Sequence, residues 1–88
     1  MTQPKKAWEL IEQTGWCQKE EVKRKKGVVV GYCAAGAIFK VYGDDLTIFR
    51  GIINKVRAVI GAVGLAAWND APERTKAQVV ATLKGVEV

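Results

Sequence analysis

The stretch from Asp44 to Ile60 constrains this chain more than any other. Leu46, Phe49, Ile53, Val56, Ile60 and Val63 recur at alternating steps of three and four, the spacing of one face of an α-helix. Ile48, Ile52 and Val59 widen that face beyond a narrow seam, so the pattern predicts a helix over 44–61 wrapped by several partners. Asp44 or Asp45, following Gly43, offers a carboxylate to the helix's first free amides. On this reading the remaining segments are short and pack against a central rod.

The 88 residues allow one domain, 1–88, with one core. A hydrophobic content of 49% with three tryptophans is enough to fold without a metal or a disulfide, so no cofactor is implied. No apolar run approaches the roughly 20 residues of a membrane span. Thr2 to Lys6 leads straight into an amphipathic segment rather than a signal pattern. The expectation is a soluble cytoplasmic protein without a membrane partner. Its two cysteines should then be reduced, although sequence does not separate that state from a bridged pair.

Taken in order, Thr2 or Gln3 before Pro4 reads as a helix start, and Ala7, Trp8, Leu10 and Ile11 give helix one over about 4–14. Gly15 supplies a left-handed stop, with Trp16 folding back in a Schellman motif. Residues 17–32 form either a hairpin or a loop. In the hairpin reading Gln18–Lys23 pairs with the β-branched Val28–Tyr32 across a Lys25-Lys26-Gly27 turn. Residues 33–42 are apolar almost all round, as in a buried helix, and Cys33, Gly36 and Ala37 make a strip of small side chains. After the 44–61 helix, Gly61 and Gly64 weaken helical propensity and Leu65–Trp68 reads as a last buried turn. Asp70-x-x-Glu73 and Thr75-x-x-Gln78 both match a capping box. Thr75 is preferred because Val79, Val80 and Leu83 follow with helical spacing, giving a helix over 75–84 closed by Gly85. The fold class is mostly α: a compact four-helix domain with a small hairpin between helices one and two.

Few residues carry chemistry. Cys33 opens a helix whose amides would favour a thiolate, but the chain contains no histidine to serve as its base. Two cysteines and no histidine fall short of a structural zinc site, so no metal is expected. Glu20-Glu21 and Asp44-Asp45 are adjacent in sequence, and their side chains diverge. The net charge of +5 gathers in Lys19, Lys23, Arg24, Lys25 and Lys26, a run that attracts an acidic partner or stays a solvated loop. Trp68-Asn-Asp-x-Pro-x-Arg-Thr75 packs an aromatic, an amide, a carboxylate and a guanidinium around a helix N-terminus, a place that suits an anion or a partner's backbone. It equally suits a core anchor, a turn and an Arg74–Asp70 pair.

Three blocks stand in order: Gly15-Trp16-Cys17-Gln18, Cys33-Ala-x-Gly-Ala37, and Trp68-Asn-Asp-x-Pro-x-Arg-Thr75 with Val79 and Leu83 downstream. Together they resemble a family of small uncharacterised bacterial and phage proteins. The resemblance implies a bacterial or phage origin and treats Trp16, Gln18, Asn69, Asp70 and Arg74 as one binding surface. The central loop departs from the family pattern in being shorter and strongly basic.

The functional expectation is a small binding or regulatory module acting through protein–protein interaction. The alternative is nucleic-acid binding through Lys19, Lys23, Arg24, Lys25 and Lys26, joined by Arg50, Lys55 and Arg57. A cysteine-dependent enzyme ranks third for want of a base.

Overall fold

A computed structural model describes residues 4–61 and 63–88. The first helix, α1 (Ala7–Thr14), begins beyond Pro4 rather than at it. The expected cap at Thr2 or Gln3 lies outside the described residues. Lys6 holds the N-cap position without a side-chain acceptor, and the far end of the chain supplies one instead. The backbone oxygen of Val88 accepts from the Ala7 N–H, and Lys6 Nζ donates to the Glu87 oxygen at 2.9 Å. This satisfies an amide that the helix itself leaves free.

Gly15 ends α1, but not in a Schellman turn. Its φ of 132° and ψ of 171° send the chain into an extended path. Residues 15–17 then run beside the second hairpin strand: Tyr32 N–H donates to Gly15 O at 3.1 Å and Cys17 N–H to Tyr32 O at 3.2 Å. A Cβ at residue 15 would overlap the Val30 carbonyl oxygen, so the close approach and the positive φ both require glycine.

The hairpin forms, with strands β1 (Val22–Lys25) and β2 (Val28–Tyr32) antiparallel. Lys26 and Gly27, at φ of 53° and 81°, make the two-residue turn whose positive dihedrals match the twist of the strands. The first strand lies closer to the turn than the expected Gln18–Lys23, because Gln18 and Lys19 are bonded elsewhere. A register shift between Lys23 and Arg24 marks a bulge.

Next comes α2 (Ala34–Tyr42), capped by Cys33, whose Sγ accepts from the Gly36 N–H at 3.2 Å. Ala34, Gly36, Ala37 and Ile38 are buried, and α2 packs against α1, β2 and the next two of the three helices that follow it. The small strip was expected to admit another helix, and at Gly36 it admits instead the backbone just before β1. A Cβ on Gly36 would overlap the Glu21 carbonyl, which accepts from the Cys33 N–H at 3.0 Å.

The helix over 44–61 is α3 (Leu46–Ile60), capped by Asp45 Oδ1 on the Thr47 and Ile48 amides. It is not the central rod. Val56 is its one buried residue, while Leu46, Ile48 and Val59 are each more than half exposed. The largest apolar side chains with no exposure are Ile11, Ile38, Val56, Val79, Leu83 and Val88. Burying such a side chain contributes about 1.5–3 kcal/mol, so most of the apolar stabilisation rests on α1, α2 and the C-terminal helix. Periodicity correctly marks α3 as amphipathic, yet the element the others surround is the shorter α2.

A fifth helix, α4 (Leu65–Asp70), stands where a single buried turn was expected, so the count is five rather than four. The last, α5 (Lys76–Gly85), opens on Thr75 with the reciprocal capping box: Thr75 Oγ1 accepts from Gln78 N–H and Gln78 Oε1 from Thr75 N–H. Gly85 is the last helical residue rather than the stop, and the left-handed turn falls on Glu87 at φ 60°. The radius of gyration, 12.1 Å, matches the roughly 12 Å of a folded chain this long. No described helix is long and apolar enough to cross a membrane.

Candidate functional site

The short α4 has only six residues, so nearly every carbonyl at its end lacks an intrahelical donor. Side chains from elsewhere supply the donors. Arg74 Nε donates to Trp68 O at 2.9 Å, and Gln18 Nε2 to Asn69 O and Ala71 O at 3.1 and 2.9 Å. Arg74 also lies with its guanidinium carbon 4.4 Å from the centroid of the Trp68 ring, a cation–π arrangement. Its Nε therefore serves the α4 carbonyl, and Asp70 takes other partners.

Asn69 is wholly buried and uses both ends of its amide. Its Oδ1 accepts from Trp16 Nε1 at 2.8 Å and from Ala34 N–H at 2.9 Å. Its Nδ2 donates to Cys17 O at 3.0 Å and to Asp70 Oδ1 at 3.1 Å. Asp70 Oδ1 also accepts from Lys19 N–H at 2.8 Å. That backbone donor, followed by the Asn69 amide, holds the Asp70 carboxyl below the usual carboxylate range. Trp16, Gln18, Asn69, Asp70 and Arg74 thus come together around the end of α4, as one cluster. Their hydrogen bonds run to one another and to nearby backbone, clasping 16–19, the start of α2 and the end of α4. Among the described residues no buried side-chain nitrogen or oxygen lacks a partner.

The cations of the alternative set, Lys19, Lys23, Arg24, Lys25 and Lys26, are all exposed, four of them on β1 and its turn. The cysteines are free and buried. Burial pushes both thiols up, with Cys33 adding to the effect on Cys17. Cys17 Sγ donates to Glu20 O at 3.3 Å, and Cys33 Sγ is spent as the cap of α2. Raised thiols favour the protonated form, which is neither a nucleophile nor a metal ligand.

Two features escaped the sequence reading. A cavity of about 420 Å³ opens between hairpin and α2, with Val22, Arg24, Val29, Tyr32, Phe39 and Lys40 in its lining. Phe39 is 51% exposed and meets Phe49 edge to face at 5.5 Å, joining this groove to α3. Beyond it Leu46, Ile48, Val59 and Val63 stay exposed. The signal for this was present: nine apolar residues on one stretch of an 88-residue chain exceed what so few neighbours can cover.

Residues 5–87 match the Family of unknown function (DUF6197). The chain belongs to this family. The DUF6197 match takes in the Asn69 cluster, the basic hairpin and the whole of α3. No curated protein and no solved structure matches the chain.

Proposed function

We propose that this DUF6197 chain is a small binding or regulatory module that acts on a protein partner, a modulator encoded by a phage or by its bacterial host. The observation that carries the reading is the uncovered apolar surface. Phe39, Leu46, Ile48, Val59 and Val63, all at least 48% exposed, lie on α2, on α3 or just beyond it. Scattered exposed apolar residues are ordinary, but a concentration on one pair of elements marks interaction surfaces. The raised thiols and the lack of histidine favour binding over cysteine chemistry.

In this reading Trp16, Gln18, Asn69, Asp70 and Arg74 form a second candidate contact, with Arg74 as its anchor. The test is cross-linked affinity capture from the native cell, followed by reconstitution with the purified partner. A partner that binds wild type and is lost by Arg74→Ala at a temperature where the variant is still fully folded places the contact at this cluster. Recovery of nothing above background counts against the module.

One observation favours a second reading: Lys23, Arg24, Lys25 and Lys26 stand exposed on a two-stranded ribbon, a shape that grooves of nucleic acid admit. Labelled DNA and RNA titrated at about 50 and 200 mM salt separate the readings, because each phosphate contact adds about −0.9 to the log–log slope.

A further inference from the structure

Hairpin and helix build the cavity between them together. Gly36, Phe39 and Lys40 of α2, and Gly43 just after it, line one wall at i, i+3, i+4 and i+7, a single helical face. On the hairpin the register passes from Lys23↔Gly31 to Arg24↔Val29, which leaves Val30 as an extra residue. That bulge brings Val29 into phase with Tyr32, three positions on, which a regular strand would turn to the opposite face. Val29 and Tyr32 therefore line the cavity together, beside Val22 and Arg24. Lys23 and Lys25 alternate to the other side of the ribbon and stay out of it.

Two observations point to a ligand here. Tyr32 is only 7% exposed, yet its hydroxyl bonds to no described residue. No buried side-chain oxygen among the described residues lacks a partner, so this hydroxyl lies in the open space of the cavity. It is free to donate to a bound molecule or to accept from one. The second observation is charge. Glu21, Arg24, Lys40 and Asp44 all line the cavity, and none of them is ion-paired with another described residue. Phe39 stands among them, its ring set edge to face against Phe49. A Cβ at Gly43 would crowd that ring, so glycine there keeps it in place.

The four charges balance, two of each sign, so a plain anion or cation meets as much repulsion as attraction. A zwitterion finds a partner for both its ends. Exposed Phe39 and the half-buried Val22 and Val29 offer a face to an aromatic body. The volume of about 420 Å³ falls within the range of small-molecule sites, about 300–1,000 Å³. Going beyond the protein-binding reading, we infer that this cavity holds a small aromatic zwitterion, a free aromatic amino acid or a short peptide. Its carboxylate is drawn to Arg24 and Lys40, its ammonium to the carboxylates of Glu21 and Asp44, and the Tyr32 hydroxyl bonds its polar end.

The probes are L-phenylalanine, phenylalanylglycine, phenethylamine, which lacks the carboxylate, and hydrocinnamate, which lacks the ammonium. Each is titrated into the isotope-labelled full chain and followed by two-dimensional NMR. A zwitterion should move the Tyr32, Gly36 and Gly43 amide signals saturably, with a Kd of about 1 mM or lower. The tighter of L-phenylalanine and phenylalanylglycine tells a free amino acid from a peptide. Phenethylamine and hydrocinnamate should each bind at least about tenfold more weakly. Arg24→Gln with Lys40→Gln should abolish the preference over phenethylamine, and Glu21→Gln with Asp44→Asn the preference over hydrocinnamate. A merely structural role for these side chains produces neither change. Tyr32→Phe, which removes only the unbonded hydroxyl, should weaken binding about threefold at unchanged melting temperature. The inference falls if neither zwitterion binds below about 10 mM, if all four probes bind alike, or if the shifts gather away from these amides. It falls equally if guanosine monophosphate moves those signals while the zwitterions do not. Any of these results leaves the protein-binding reading standing.

Discussion

Asn69 is the residue whose loss should be felt most for its size. Asn69→Ala strips partners from the Trp16 indole N–H, the Ala34 N–H and the Cys17 carbonyl. At about 1–3 kcal/mol per orphaned buried group, chemical denaturation should show a loss of at least about 3 kcal/mol. A loss below about 1 kcal/mol would mean that water takes over the amide's place. Beside it, Asp70 gives a pH dependence. Its folded carboxyl titrates below the ordinary range because of the Lys19 N–H and the Asn69 amide. The unfolded chain therefore binds this proton first as pH falls. The stability Asp70 contributes is complete above about pH 5 and is lost as pH drops through the folded value. Asp70→Asn should flatten denaturation midpoints between about pH 5 and pH 2. Midpoints that fall equally steeply in the variant would assign the dependence to other carboxylates.

Among the elements, α2 rather than α3 should tolerate truncation least. Ile38→Ala, at a position with no exposure, should cost about 2–5 kcal/mol. Phe49→Ala, half-buried on α3, should cost less, and the reverse order would restore α3 as the central element. Thr75→Ala should cost about 1 kcal/mol through its cap. Gly51→Ala should stabilise α3 by up to about 1 kcal/mol. What was legible in the sequence was local. The Thr75–Gln78 box, the Asp45 cap, the turn at Gly27 and the 3.6-residue period are all fixed by residues a few positions apart. What was not legible is what those elements meet. Period shows that α3 has an apolar face but not that its neighbours cover half of it. The six residues of α4 are too few to show a period, and they end on carbonyls satisfied by Gln18, which lies 51 positions away. The clustering of Trp16, Gln18, Asn69, Asp70 and Arg74 entered through motif order; no local rule connects an indole at 16 to an amide at 69.

At the scale of the molecule, the densest cations and most of the uncovered apolar groups occupy different elements, although Val28 is exposed on β2 and α3 carries Arg50, Lys55 and Arg57. The hairpin holds Lys23, Arg24, Lys25 and Lys26, while Leu46, Ile48 and Val59 are exposed on α3. Replacing Lys23, Arg24, Lys25 and Lys26 with Ala should therefore weaken only salt-sensitive association, read as a flatter salt dependence of binding. The Asn69 junction has a further consequence, for kinetics. It closes only after segments 35 to 53 positions apart have met, so the chain must meet their loop-closure entropy before the amide returns anything. We expect bonds of that kind to form after the barrier has been crossed. Substitutions at Asn69 should steepen the escape from the native state and leave the refolding limb of a chevron almost unmoved. The junction then acts as a latch on lifetime: it sets how long the folded chain persists, not how quickly it is reached.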